Sequence, residues 1–152
     1  MSRKISLFLI TLFFLFTIFL PALAETPSKP PACPVCNMQV ADAEKKFTVY
    51  LPNVSGMGPS TFDDIGCAVQ SRNTECASRQ TTFDSNAVVY DFVTGEPVLA
   101  EKAFFAFKST LRTPMGYGIV AFKDKTQAET FAVEHGKVQV VKWFELVDMK
   151  LQ

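Results

Sequence analysis

Cys33-Pro34-Val35-Cys36-Asn37-Met38 puts two thiols and a thioether within six residues. A CxxC turn brings both thiols to one side of a tight knuckle. The two-residue step from Cys36 to Met38 points both side chains to one face of an extended backbone. Thiolate with thioether is a soft donor set, the kind that selects Cu(I) over harder ions. Zinc sites draw on Cys, His and carboxylates and have no use for a thioether. A second sulfur segment is Thr113-Pro114-Met115-Gly116-Tyr117-Gly118. There Gly116 and Gly118 let the chain turn sharply and leave the Met115 sulfur exposed. Met57, in Gly56-Met57-Gly58, occupies the corresponding loop of the first half.

Several readings compete for the CxxC. A c-type haem site needs His at position 37, and Asn37 excludes it. A zinc ribbon wants a second CxxC, whereas Cys67 and Cys76 are separated by eight residues. A thiol-disulfide oxidoreductase needs its first cysteine at a helix N-terminus, but this motif follows a Pro-rich stretch. A structural disulfide and a soft-metal site both remain open. Four cysteines in an exported chain could also form two disulfides, making a disulfide-stapled binding module. Cys67 is read as a buried core thiol, a disulfide partner of Cys76, or a reserve ligand. Asp63 and Asp64 precede a helix and read as caps rather than ligands. His135 precedes Gly136 and reads as the C-terminal residue of a helix.

The elements that position these sulfurs follow from hydrophobic periodicity. Lys46–Leu51 alternates as a strand, Pro52–Ser60 is a loop, and Thr61-Phe62 is a strand end. A short helix follows Asp63-Asp64, with Ile65, Ala68 and Val69 as its apolar residues. Asn73–Asn86 is polar and reads as a loop, and Ala87–Val93 as a strand. The second half repeats the order. Ala103–Phe107 and Ile119–Phe122 are strands around the Met115 loop. Asp124 caps a helix with Gln127 three residues on, whose stripe is Ala128, Phe131, Ala132 and His135. Val138–Val147 closes as a strand. Phe62 with Asp64 and Phe122 with Asp124 sit 60 residues apart. The expected fold is α+β, two small ββαβ-like units, 33–95 and 96–152, packed into one body. Neither is large enough to bury much core alone.

Arg3-Lys4, the apolar run Ile5–Leu20, Pro21 and Ala22-Leu23-Ala24 form the tripartite pattern of a secretory signal peptide over residues 1–24. Residues 25–32 are a Pro-rich tether. The chain is therefore read as exported and periplasmic, either soluble after cleavage or anchored by an uncleaved N-terminal segment. Of 152 residues, 15 are basic and 15 acidic. Cleavage removes two of the basic residues and leaves a slightly acidic product. Such a product is a poor candidate for nucleic acid, which asks for a basic face. A single histidine excludes three-histidine zinc centres.

The combination of Cys36-x-Met38, Phe62-Asp63-Asp64-Ile65-Gly66-Cys67, and Pro114-Met115-Gly116 followed by Ala121-Phe122 resembles the NosL family of nitrous oxide reductase accessory proteins. Ala128…Phe131-Ala132…Glu134-His135-Gly136 is similar to that family's final helix. The resemblance implies a periplasmic Cu(I)-binding chaperone, not an enzyme, with a fold similar to organomercurial lyase. It implies Cys36, Met38 and Met115 as copper ligands, with Cys33 assisting; Met57 and Cys67 stand as secondary candidates. It also implies a recipient copper enzyme, nitrous oxide reductase or its membrane-bound assembly complex. Asn37 stands where Gly is common in the CxxC form.

Overall fold

The computed structural model describes residues 31–54 and 56–151. The signal segment and all but the end of the tether lie outside the described residues. The strands are β1 (Val49–Leu51), β2 (Ser60–Phe62), β3 (Val88–Tyr90), β4 (Pro97–Leu99), β5 (Phe104–Phe107), β6 (Val120–Phe122) and β7 (Gln139–Lys142). The helices are α1 (Ile65–Thr74), α2 (Ala77–Asn86), α3 (Lys125–Glu134) and α4 (Trp143–Val147), with 3-10 turns at Asp42–Phe47 and Ala100–Lys102. They build an α+β fold with two antiparallel sheets, ordered β2-β1-β3-β4 and β6-β5-β7. In each sheet the first strand lies in the middle. It is flanked by the strand that follows it and by the strand after the intervening helices.

One core runs through both sheets. Val49, Leu51, Phe62 and Val89 share it with Phe105, Ile119, Ala121, Val141 and Trp143. Successive residues of a strand face opposite sides, so Phe105 enters this core while its neighbour Ala106 joins a second cluster. That cluster holds Phe47, Val120, Phe122, Ala128 and Phe131. Asp124 caps α3 by accepting from the Gln127 N–H at 3.0 Å. His135 ends that helix with its ring stacked on Phe131, centroids 4.0 Å apart.

Three local expectations are corrected, and one strand is added. Residues 77–86 are helix rather than loop. Their polar side chains hide it, because Thr81, Thr82, Ser85 and Asn86 each turn back to the carbonyl four residues earlier. Only Phe83 and Asp84 of α2 are buried. Residues 138–147 are not one strand. After β7, the Lys142 N–H bonds to Glu145 Oε2 at 2.7 Å and α4 begins. Its buried residues Trp143, Leu146 and Val147 follow helical, not strand, spacing. Lys46 and Phe47 belong to a 3-10 turn, and Phe47 packs in the second cluster instead of with Val49. Pro97–Leu99 pairs with β3, an edge strand whose three residues are too few to show a period.

Candidate metal centre

The knuckle is closed at its base by bridging of Ala32 to Gln39. Cys33 N–H donates to the Met38 carbonyl at 2.8 Å, and Asn37 N–H to the Cys33 carbonyl at 2.8 Å. The turn needs a left-handed residue, and Asn37 supplies it with φ of 61°. Asparagine is among the few non-glycine residues that adopt this conformation readily. That is why it can hold a turn that otherwise calls for glycine. Within the knuckle Cys33 is buried, Cys36 half-buried and Met38 exposed.

Opposite the knuckle is the start of α1. Asp64 caps the helix, its Oδ1 accepting from Gly66 N–H at 2.9 Å. Asp64 is in extended backbone, so Asp63 before it points the other way. Asp63 faces the knuckle, with Cys36 Sγ donating to its Oδ2 at 3.2 Å. One turn into the helix, Cys67 is buried beside them. The ligand atoms of Cys33, Cys36, Asp63 and Cys67 all lie within 4.8 Å of one another. Asp63 is therefore the residue that sequence reasoning missed. The available signal was that two consecutive acids precede the helix, and extended backbone lets only one of them cap it.

The Met115 loop is fastened to the same helix start. Asp64 Oδ2 accepts from Thr113 Oγ1 at 2.6 Å and from Met115 N–H at 3.0 Å. Gly118, at φ of 63°, packs against the Ser109 backbone where a Cβ has no room. Tyr117 lies across Gly66 and accepts from Gln70 Nε2 at 2.6 Å. Met115 is 39% exposed and Met38 46%, so both side chains reach the surface beside the cluster. Met57 instead packs against the main core and lines a depression with Pro34, Phe62 and Phe83. Cys76 is exposed at the start of α2, its Sγ 3.4 Å from Ser78 Oγ, and is not in the cluster. All four thiols are free.

Burial pushes the Cys36 thiol up to about 11. The Met38 N–H opposes this, and the Asp63 carboxylate and Cys33 add to it. Burial likewise pushes Cys67 up, reinforced by Cys33 and Asp63. Burial also raises the Asp64 carboxyl, against the hydrogen bonds from Thr113, Gly66 and Met115. At neutral pH Cys36 and Cys67 thus hold protons that a soft cation would displace on binding.

Fold and site together define an α+β protein whose sulfur and carboxylate donors converge between a cysteine knuckle and a helix start, an arrangement suited to a metal ion. The model of the NosL family matches residues 25–150. The chain belongs to the NosL family. Its structure is similar to the crystal structure of the copper chaperone NosL from Shewanella denitrificans. That likeness has a TM-score of 0.56 and 18% identity, and covers 83% of this chain and 96% of that one. A search of the curated proteins found no match. Among the described residues, no helix is long and apolar enough to cross a membrane.

Proposed function

We propose that this protein binds Cu(I) as cargo through Cys36, Met38 and Met115, with Cys33 assisting, and delivers it outside the cytoplasm to a copper enzyme. The observation that carries the reading is the placement of Cys36. It is half-buried, with the exposed Met38 two residues away. The loop of the exposed Met115 is tied through Asp64 to the carboxylate neighbour that Cys36 touches. Membership of the NosL family and the likeness to a copper chaperone support copper as the cargo.

The donor chemistry suits a carrier. One thiolate neutralises Cu(I), and thioethers add softness without charge. Ligands on two separate loops can be displaced one at a time by an incoming ligand of the recipient. The sequence resemblance supports nitrous oxide reductase or its assembly machinery as the recipient. The signal-like segment supports the periplasm as the place. The first cysteine of the motif, Cys33, is buried at 1% exposure, which argues against a thiol-disulfide oxidoreductase, whose attacking thiol must be open to its substrate.

The test is an anaerobic titration of the reduced protein with Cu(I) against a chromophoric chelator. About one equivalent should bind tightly. Cys36→Ser should abolish most binding, and Met115→Ala should weaken it. Parent-like binding by both variants would overturn the ligand assignment.

A further inference from the structure

Each half of the chain starts a helix with a capping aspartate, Asp64 in the first and Asp124 in the second. The two are used differently. Asp124 is exposed and gives one oxygen to the Gln127 N–H. Asp64 is wholly buried, and among the described residues it pairs with no cation. Burying a carboxylate costs far more than burying a hydroxyl. Capping needs only one oxygen, which Ser supplies as well as Asp. The cap alone therefore does not account for a carboxylate at position 64.

The second oxygen accounts for it. Asp64 Oδ2 accepts from Thr113 Oγ1 at 2.6 Å and from Met115 N–H at 3.0 Å. Thr113 is buried and closes the loop on itself. Its carbonyl accepts from Gly116 N–H at 3.0 Å, and its hydroxyl accepts from Gly118 N–H at 3.1 Å. Residues 113–118 thus form a ring of bonds hung on one carboxylate oxygen from the other half of the chain. The hold is on the Met115 backbone, so the exposed thioether keeps its choice of rotamer. Asp63, one residue earlier, points the other way and meets Cys36 Sγ at 3.2 Å. The dipeptide spans the two ligand loops and fixes their separation.

We infer that Asp64 is the positioning residue for the Met115 thioether, with Thr113 as its clasp, so that the second ligand loop is in place before copper arrives. The inference rests on the copper reading, because Met115 matters to the cargo only as a ligand. Binding to a loop already held costs less ordering than binding to a loose one. Outer partners that hold a ligand in this way are worth about 10–100-fold in metal affinity.

Asp64→Ser separates the two duties, since a single hydroxyl keeps the helix cap and gives up the loop. Far-UV circular dichroism should show the helix content of the parent, while Cu(I) affinity falls about 10–100-fold. In a Met115→Ala background the same change should cost nothing further, a result that a general loss of structure would not give. Thr113→Val removes the clasp without touching the cap and should also weaken Cu(I) binding. It carries the test if Asp64→Ser does not fold. Thr113→Ser keeps the hydroxyl and should restore the parent affinity. In the copper-free protein, amide hydrogen exchange at Met115 should quicken roughly fivefold or more in Asp64→Ser. Parent-like Cu(I) affinity in both Asp64→Ser and Thr113→Val would overturn the assignment, as would an undiminished loss in the Met115→Ala background. The two readings fail separately. A Met115→Ala protein that binds Cu(I) like its parent would refute the ligand, whereas unchanged exchange at Met115 in Asp64→Ser would refute the clasp.

Discussion

A methyl group placed on Gly66 tests how the Met115 loop is held. Glycine to alanine within a helix ordinarily gains up to about 1 kcal/mol. Here the new Cβ would run into Cδ2 and Cγ of the Tyr117 ring and lie 2.7 Å from its Cε2. That is about 1 Å inside the usual carbon–carbon contact, and overpacking of this kind costs about 1–3 kcal/mol. Displacing the ring also breaks the Gln70–Tyr117 hydrogen bond. The clash outweighs the propensity gain, so Gly66→Ala should destabilise by about 1 kcal/mol and lower Tm by roughly 4 °C. Removing the ring reverses the sign: in a Tyr117→Ala background the same methyl should stabilise. Urea unfolding of the four proteins gives the coupling, expected to be at least about 1 kcal/mol. Copper affinity should fall in Gly66→Ala, because Tyr117 and Met115 share one loop. A Gly66→Ala protein more stable than its parent, with effects that add in the double variant, would refute the packing argument.

Other outcomes follow from the same structure. Asp91 is buried, which pushes its carboxyl up. The N–H groups of Lys123, Thr94 and Val93 and the Thr94 hydroxyl outweigh this and hold it below the usual range. A depressed carboxyl stabilises the fold above its unfolded value of about 4, and that contribution is lost as pH falls through the folded value. Asp91→Asn should therefore flatten the acid limb of stability against pH, and an unchanged limb would contradict the assignment. Cys76 is exposed, and its thiol is lowered by Ser78 and the Arg79 N–H. Iodoacetamide near neutral pH should modify Cys76 first, with Cys67 reacting only after unfolding. Peptide mass spectrometry showing equal modification of both would contradict their placement.

Sequence periodicity revealed most of the scaffold wherever burial was one-sided. Asp64 and Asp124 read correctly as caps because their carboxylates sit at helix starts. The polar α2 was not legible, since a helix burying only Phe83 and Asp84 carries almost no apolar period. Asp84 instead anchors it through polar contacts, pairing with Arg72 at 2.7 Å and accepting from Trp143 Nε1 at 2.8 Å. Those partners lie 12 and 59 residues away, and no local pattern announces them. Trp143 was misplaced for the same reason, because β7 runs into α4 with no Gly or Pro between. In the site, the CxxC knuckle and the exposed methionines were legible from residue type. The approach of Cys67 and Asp63 to Cys36 was not, because it depends on how α1 packs against the knuckle.

Copper X-ray absorption on the Cu(I)-loaded protein tests the central claim most directly. The parent should show a first shell of sulfur alone, and Met38→Ala and Met115→Ala should each lose sulfur from it. A shell dominated by nitrogen or oxygen, or one unchanged in both variants, would contradict the assignment of Cu(I) to Cys36, Met38 and Met115.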